Sequence, residues 1–136
     1  MVAISTKRGL INPKEAADLY IRLGWGTAKK YSVRTVGNML RHSDYVVAAY
    51  SADHELIGLG RALSDGVRYT ALADLIIDPD YQRQGVGRAI MEKFRKKYDG
   101  TPMFFETPKK NRRFALKCGY KERKDLIVFS RKCHKN

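Results

Sequence analysis

The stretch DLIIDPDYQRQGVGRAIMEKF, residues 74–94, predicts a strand, a turn and a helix in succession. Apolar residues at 75–77 indicate the end of a strand, and Pro79 stops it because proline has no N–H for a sheet. Apolar side chains then recur at every fourth position from Val86 to Phe94, with charged residues between them. This spacing is typical of an amphipathic helix. The stretch therefore predicts part of an α/β fold.

Periodicity and turn residues divide the rest of the chain in the same way. The sequence predicts helices over 13–23, 32–40, 86–98 and 111–118. It predicts strands over 2–5, 45–50, 56–64, 69–78, 103–107 and 126–131. Gly58 and Gly60 fall inside a strand, where we interpret them as packing positions. Hairpins followed by a strand–helix–strand unit indicate a mixed sheet, and a length of 136 residues suits one domain over 1–136.

The chain has a net charge of +13, and most of it lies in the second half. Residues 1–70 carry ten Lys and Arg against six Asp and Glu, whereas residues 71–136 carry 17 against eight. Such an excess suits a polyanionic ligand, either nucleic acid or a phosphorylated cofactor. A basic surface that serves only solubility is the alternative, and charge alone does not decide among the three.

Location and metal binding are predicted from what the sequence lacks. The N-terminal MVAISTKRGLIN has no apolar signal-peptide core, and no apolar run reaches the roughly 18 residues of a membrane helix. We therefore expect a cytoplasmic protein without a membrane partner. Cys118 and Cys133 do not form a Cys-x-x-Cys pair, so no zinc or other metal site is expected, and a disulfide is the less favoured interpretation.

The turn before the 86–98 helix has the composition of an anion site. A helix N-terminus presents unpaired N–H groups and the positive end of the helix dipole. Gly85 and Gly87 lack the Cβ atoms that would block a phosphate and allow positive φ, while Arg83 and Arg88 add positive charge. A pyrophosphate-like ligand fits this pattern, although a glycine turn can also be purely structural. The segment has no Gly-Lys-Ser/Thr and no third glycine of the dinucleotide fingerprint, which disfavours nucleotide hydrolysis.

The stretch DPDYQRQGVGRAIM, residues 78–91, resembles the acetyl-coenzyme A motif of the GNAT acyltransferases, Gln/Arg-x-x-Gly-x-Gly/Ala after a strand. Gln82, Gly85 and Gly87 occupy its fixed positions, and FALKCGY, residues 114–120, follows in that family's order. The resemblance covers most of the chain. It implies a single-domain α/β GNAT fold, with a mixed, mostly antiparallel sheet flanked by helices. It also implies an acetyl-CoA-dependent N-acetyltransferase.

The same resemblance implies where coenzyme A binds. In this family the helix N-terminus holds the pyrophosphate and the preceding strand pairs with pantetheine. The implied cofactor-binding residues are Leu75, Ile76, Ile77, Gln82, Arg83, Gln84, Gly85, Val86, Gly87, Arg88 and Ala89. Asn111, near the start of the last helix, is a further candidate if that helix is shortened. The basic second half suits a ligand as anionic as coenzyme A.

The catalytic residues depart from the usual set of the family. Many members carry a tyrosine four residues before the glycine of the last helix, as the acid for the departing thiolate, and that position is Ala115 here. An amine must lose a proton before it attacks a thioester. Asp74, with Leu72 and Ile76 on its face of an apolar strand, is the predicted base because desolvation strengthens a carboxylate base. An aspartate that accepts backbone N–H bonds is the equal alternative.

The spacing D-x-x-x-D-P-x-Y-Q also resembles the serotonin-type arylalkylamine acetyltransferases. In that group the aspartate and tyrosine at the positions of Asp74 and Tyr81 are implicated in catalysis. Packing under the loop explains Tyr81 as well. Both residues are therefore catalytic candidates through the resemblance.

The acceptor is predicted less directly. The family often builds its acceptor pocket from the first helices, which places Tyr20, Trp25 and Tyr31 nearby, either for an aromatic amine or for core packing. Because the protein is positive overall, Asp74 and Asp65 are the carboxylates expected to attract a cationic amine. The resulting hypothesis is that the protein transfers an acetyl group directly, within a ternary complex, to the primary amine of a small molecule such as an arylalkylamine or a polyamine.

Three other functions stay open. The chain is alternatively a protein lysine or N-terminal acetyltransferase, or a coenzyme A-binding domain with little catalysis, as Ala115 suggests. The third alternative is a basic nucleic-acid-binding domain, with RKKY, KKNRR and KERK as its footprint. No recognisable nucleic-acid motif accompanies these segments, so we do not expect a nucleic-acid partner. A homodimer is left open.

Overall fold

A computed structural model describes residues 1–133 of the chain. The residues form two compact units, one from Met1 to Glu106 and one that begins at Thr107. The strands, all in the first unit, are β1 (Ala3–Ser5), β2 (Tyr45–Tyr50), β3 (Leu56–Ser64), β4 (Thr70–Ile77) and β5 (Met103–Phe104). The α-helices are α1 (Pro13–Arg22), α2 (Val33–His42) and α3 (Val86–Lys97) in the first unit and α4 (Arg112–Lys117) in the second.

The five strands form one sheet in the order β1-β2-β3-β4-β5. Neighbours from β1 to β4 are antiparallel, and β5 pairs parallel with β4. The predicted α/β class with a mixed, mostly antiparallel sheet is therefore confirmed. The single domain over 1–136 stays a prediction.

The helices of the first unit begin at side chains that cap them. Asn12 precedes Pro13, and its Oδ1 accepts the N–H of Lys14 at 2.9 Å. The Oγ of Ser32 accepts the N–H of Thr35 at 3.1 Å. Each bond satisfies an N–H that has no partner inside the helix. These local signals explain why α1 and α2 begin within a residue of the predicted positions.

The sheet packs helices on both faces. Buried side chains of the sheet join α1 and α2 in one core: Val46, Ala48, Leu56, Leu59 and Ile76. Gly58 and Gly60 flank Leu59 on β3, so they face the opposite side of the sheet. There they lie against Ile90 and Phe94 of α3. The interpretation of both glycines as packing positions is confirmed.

Replacing Gly60 by alanine should destabilise the fold by about 1–3 kcal/mol, as expected for overpacking of a core. A Cβ there would lie 2.7 Å from Cε2 of Phe94 and 2.9 Å from Cγ2 of Ile90. Both side chains are fully buried and cannot move aside without displacing others. Urea unfolding measures the loss. Gly100→Ala is the control, because a Cβ at Gly100 meets nothing within 4 Å. Equal losses in the two variants would contradict the packing argument.

The strand predicted over 126–131 is wrong. These residues have no regular secondary structure, and the four apolar ones, Leu126, Ile127, Val128 and Phe129, are 52–86% exposed. A strand exists through hydrogen bonds to a neighbouring strand, and none of the strands within residues 1–133 pairs with this segment. The strand predicted over 103–107 is also shorter, since β5 pairs with β4 only through Met103 and Phe104.

Candidate active site

The loop between β4 and α3 is fixed at its first residue. Asp78, which is buried, accepts the N–H of Asp80 on Oδ1 at 2.9 Å and caps a short 3-10 turn over Pro79–Tyr81. Its other oxygen, Oδ2, accepts from Nη2 of Arg22 on α1 at 2.6 Å. One carboxylate therefore shapes the turn and ties it to α1. The sequence did not single out this pair.

Two glutamine side chains of the loop donate hydrogen bonds to backbone carbonyls. Nε2 of Gln82 donates to the carbonyl of Ile77 at 2.9 Å, and Nε2 of Gln84 donates to the carbonyl of Asp80 at 3.0 Å. Both residues were predicted to bind the cofactor. The backbone N–H of Gln82 is engaged as well, because it donates to the carbonyl of Pro79 at 3.4 Å, so both of these hydrogen bonds of Gln82 hold the loop in shape.

The first turn of α3 presents backbone donors. Gly85, with φ +85°, is the N-cap and has no side chain to bond to the turn. Ala89 donates its N–H to the carbonyl of Gly85 at 3.0 Å, so the N–H groups of residues 86–88 precede the first bond of the helix and have no acceptor inside it. Arg83 and Arg88 are exposed beside them. Backbone donors, helix dipole and guanidinium groups here suit an anion.

Positive φ occurs at one of the two predicted glycines and at one residue that was not predicted. Both glycines allow positive φ, and Gly85 adopts it whereas Gly87 does not. Arg83 has φ +62°, a conformation that is uncommon for a residue with a side chain. Such strain often accompanies ligand loops, and no sequence signal marked Arg83 for it.

Among residues 1–133, no strand lies beside the outer edge of β4 over most of its length. β5 pairs with Thr70 and Ala71 only. From Leu72 to Ile77, β4 pairs with β3 alone within the described chain. Leu75, Ile76 and Ile77, the predicted pantetheine residues, lie on this stretch. Because the side chain of Ile76 is buried in the core, its backbone is what remains for a ligand.

A bulge changes the faces of β4. Arg61 pairs with Asp74 and Ala62 with Leu72, so Ala73 has no partner on β3. Consecutive residues of β3 point to opposite faces, and cross-strand partners share a face. Leu72 therefore lies on the opposite face from Asp74, and its predicted place beside Asp74 is wrong. The predicted neighbour Ile76 is confirmed on the face of α1 and α2.

Asp74 is paired rather than isolated. Its Oδ2 accepts the hydroxyl of Tyr20 at 2.7 Å and Nε of Arg61 at 2.5 Å. The side chains of Arg61 and Asp74 are only 17% and 9% exposed. The premise of an uncompensated carboxylate among apolar neighbours is therefore wrong, because a guanidinium favours the ionised carboxylate and opposes the effect of burial. Sequence reasoning missed Arg61, although it is the one charged residue of β3.

The surroundings of Tyr20 keep its hydroxyl protonated, so that it donates a hydrogen bond to Asp74. Burial and the adjacent Asp74 carboxylate raise the pKa of Tyr20 far above its ordinary value. Burial lowers the pKa of Arg61, but Asp74 and Tyr20 together outweigh burial, so the pKa of Arg61 is raised. Burial and Asp74 also raise the pKa of Tyr31. The triad thus holds a protonated phenol, a carboxylate and a guanidinium at neutral pH.

The three aromatic residues predicted near the acceptor do come together. Tyr20 stacks on Tyr31 with ring centroids 4.8 Å apart and meets Trp25 edge to face at 5.6 Å. Tyr20 belongs to the core, while Trp25 is 41% exposed. Tyr20 therefore has a structural role, and Trp25 and Tyr31 offer ring surface next to the Asp74 triad.

The remaining site predictions have different settings. Tyr81 is half-buried in the 3-10 turn, and its hydroxyl makes no hydrogen bond to another described residue. Asp65 accepts the N–H groups of residues 67–69 at 2.8–3.0 Å, which hold the pKa of its carboxyl below the ordinary value. Its charge therefore stabilises a turn.

In the second unit, Asn111 precedes α4 and donates from Nδ2 to Oγ1 of Thr107 at 3.1 Å, and Ala115 lies within α4.

The basic charge is not concentrated around the loop. Residues 71–106 carry six Lys and Arg against six Asp and Glu, whereas residues 107–133 carry ten against two. The excess positive charge of the second half thus belongs to the second unit, and Arg83 and Arg88 lie in a segment without net charge.

Within residues 1–133, no three His, Cys, Asp or Glu side chains are placed to hold a metal ion. None of the helices there is both long and apolar enough to cross a membrane.

Comparison with known proteins assigns the family. The model of the family described as Acetyltransferase (GNAT) domain matches residues 41–122. The chain belongs to the GNAT acetyltransferase family, as its loop motif predicted, and carries an acetyltransferase domain.

Individual relatives agree with this family. GCN5-related N-acetyltransferase 2 of Arabidopsis thaliana is 32% identical over 79 residues, which cover 54% of this chain and 31% of that protein. The chain thus matches less than a third of the length of this relative. It is named chloroplastic, so a cytoplasmic location stays a prediction.

Solved structures share the fold. A GNAT family acetyltransferase from Streptococcus pneumoniae superposes with a TM-score of 0.75 at 24% identity, over 97% of this chain and 100% of that one. The aminoglycoside N-acetyltransferase AAC(6')-Iy, solved in complex with CoA, has a TM-score of 0.74 at 16% identity, over 98% and 96%. None of these three proteins is named for serotonin or arylalkylamines, so that narrower relation stays a prediction.

Proposed function

We propose that this chain transfers an acetyl group from acetyl-CoA to a primary amine, with a small molecule as the acceptor and both substrates bound together. One observation carries the proposal: the unpaired edge of β4 leads directly into a loop whose next helix begins with free N–H donors. A long ligand with an anionic middle suits this arrangement. Membership of the GNAT family and the CoA complex of the aminoglycoside relative support it.

Each part of the site has a proposed task toward acetyl-CoA. The backbone of Leu75, Ile76 and Ile77 pairs with pantetheine. The pyrophosphate lies against residues 82–89, where Arg83 and Arg88 add charge to the backbone donors. Asn111 is kept as a cofactor candidate only because of its place in the family's order. Acetyl-CoA supplies a thioester that an amine can attack.

Proton transfer is assigned to Asp74 and Tyr81. The amine must be neutral when it attacks, and its proton passes to Asp74 directly or through water. Oδ1 of Asp74 is the oxygen for this step, since Oδ2 already accepts from Tyr20 and Arg61. As the carbon–sulfur bond breaks, the thiolate needs a proton. Tyr81 is the phenol proposed to serve it, because α4 has Ala115 at the usual tyrosine position.

An arylalkylamine fits the acceptor side better than a polyamine. The exposed ring of Trp25 and the half-buried ring of Tyr31 lie beside the triad. The segment 24–34 around them contains Lys29, Lys30 and Arg34 and no acidic residue. A polycation would meet this positive charge unfavourably, whereas an aromatic amine gains stacking area. The resemblance of the Asp74–Gln82 spacing to serotonin-type enzymes supports the same choice.

Coenzyme A release with a panel of amines tests the function. We expect release with acetyl-CoA and tryptamine or serotonin, weaker release with spermidine, and little with a lysine peptide. Because the acetyl group passes directly to the amine, initial-rate plots should intersect. Ping-pong kinetics or an acetylated Cys118 would contradict direct transfer. Tight acetyl-CoA binding without release for any amine would favour a coenzyme A-binding domain.

A further inference from the structure

The end of α1 is bonded to β4 and to the loop after it at two separate points. The hydroxyl of Tyr20 donates to Oδ2 of Asp74 at 2.7 Å. Further along the helix, Nη2 of Arg22 donates to Oδ2 of Asp78 at 2.6 Å. Asp74 is the proposed base, and Asp78 is the residue at which the cofactor loop begins. One short stretch of α1 therefore contacts both parts of the proposed reaction site.

Asp78 is a buried junction between three elements. Its N–H donates to the carbonyl of Ile57 on β3 at 2.7 Å, and its carbonyl accepts the N–H of Tyr81 at 2.8 Å. Its side chain is only 10% exposed, and it accepts from the N–H of Asp80 and from Arg22. A carboxylate that is removed from water is costly unless a positive group pairs with it. Arg22 supplies that group from α1.

The position of Arg22 in its helix does not explain this pair. A cation in the last turn of a helix is stabilised by the helix dipole, and that effect requires no carboxylate. Elsewhere on α1, Lys14 pairs with Asp18 of the same helix, and these side chains are 70% and 61% exposed. The pair of Arg22 differs because its partner is buried and belongs to another element. It therefore joins two parts of the fold.

We propose that Arg22 is a positioning residue for acetyl-CoA, because through Asp78 it holds the cofactor loop against α1. The inference rests on the proposed function, in which the pyrophosphate lies against residues 82–89. The charge of Arg22 also offsets that of Asp78, which would otherwise be an unpaired carboxylate at the start of a loop that binds an anion. Because α1 leads into the segment with Trp25 and Tyr31, the same contact joins the cofactor loop to the acceptor side.

This role predicts that binding is affected more than turnover. Arg22→Met keeps an unbranched side chain and removes the charge, so acetyl-CoA should bind roughly tenfold more weakly. Turnover at saturating acetyl-CoA should fall less than affinity, since Tyr20 still holds Asp74. Asp74→Asn should give the reverse pattern, with lower turnover and nearly unchanged affinity. Arg22→Lys keeps the charge with a shorter reach and should bind acetyl-CoA with intermediate affinity.

Isothermal titration of acetyl-CoA into the full chain tests the proposal through a double-mutant cycle. The variants are Arg22→Met, Asp78→Asn and the double variant. Asp78→Asn removes the charge that Arg22→Met leaves unpaired, so the double variant should bind no more weakly than Arg22→Met alone. Lys14→Met is the matched control, because it removes a cation of α1 from an ion pair that does not reach the loop. The control should bind like the wild type.

Three results would overturn the role of Arg22 while the wild type still binds acetyl-CoA. One is unchanged affinity in folded Arg22→Met, and another is equal weakening in Arg22→Met and Lys14→Met. The third is a double variant whose loss is the sum of the two single losses. Urea unfolding shows which variants are folded, and Arg22→Lys replaces Arg22→Met in the comparison where the latter is not. A wild-type chain that does not bind acetyl-CoA would overturn the proposed function, and the role of Arg22 with it.

Discussion

Replacing Asp74 by asparagine should lower turnover by roughly 10²–10⁴-fold, the range typical of general-base loss, and leave acetyl-CoA affinity nearly unchanged. Asparagine keeps an oxygen that accepts from Tyr20 and Arg61, but it cannot take a proton from the amine. Steady-state rates with saturating acetyl-CoA, with a calorimetric titration of acetyl-CoA, measure both effects.

Two companion variants separate a base from a structural carboxylate. Asp18→Asn changes an aspartate that is exposed and paired with Lys14 on α1, and it should retain turnover. Arg61→Met breaks the same buried pair but leaves the Asp74 carboxylate in place, so it should cost stability and lose less turnover than Asp74→Asn. If Arg61→Met and Asp74→Asn lose turnover equally, or if Asp74→Asn keeps near-normal turnover, then Asp74 is structural.

Replacing Gly87 by valine should weaken acetyl-CoA binding roughly 100-fold or more, since loss of two charge-assisted hydrogen bonds has at least that effect. Gly87 lies in the first turn of α3 without positive φ, so its backbone accepts a side chain without strain. The valine would occupy the space in which we place the pyrophosphate. Isothermal titration with acetyl-CoA measures the loss, and circular dichroism confirms that the variant is folded.

A substitution at Gly87 gives a less ambiguous result than one at Gly85. At φ +85° any side chain on Gly85 is strained, although its Cβ would meet nothing within 4 Å, so lost binding there would mix backbone and steric effects. Gly100→Val serves as the control, because Gly100 follows α3 and has open space around it. A folded Gly87→Val protein with unchanged affinity would remove the loop from the cofactor site. Arg83→Gln should have a smaller effect that fades at high salt, since exposed charges are screened.

Much of the fold could be predicted because its signals are local. β2 and β3 have the predicted bounds, since each is a mainly apolar run that ends at turn residues next to it in the sequence. The starts of α1 and α2 follow from the capping residues Asn12 and Ser32. The segment 126–131 has equally strong β-propensity and still forms no strand. Pairing depends on a neighbour elsewhere in the chain, which propensity does not describe.

The candidate site likewise has features that follow from local sequence and features that depend on the fold. The anion-binding character of the 82–89 loop is a property of consecutive residues, because glycines, arginines and a helix N-terminus act within one turn. Its conformation is less local: positive φ occurs at Arg83 rather than Gly87. The excess charge of the second half, which suggested an anionic cofactor, lies in residues 107–133 and not in the segment 71–106 that contains the loop.

The sequence by itself determined the strand–loop–helix unit, the family motif and the α/β class, because each depends on neighbouring residues. Only the tertiary structure decided the environment of Asp74. Tyr20 and Arg61 stand 54 and 13 positions away from it, and a bulge at Ala73 moves Leu72 to the other face of the sheet. Register and packing, which join distant segments, turned an apparently isolated carboxylate into the centre of a buried triad.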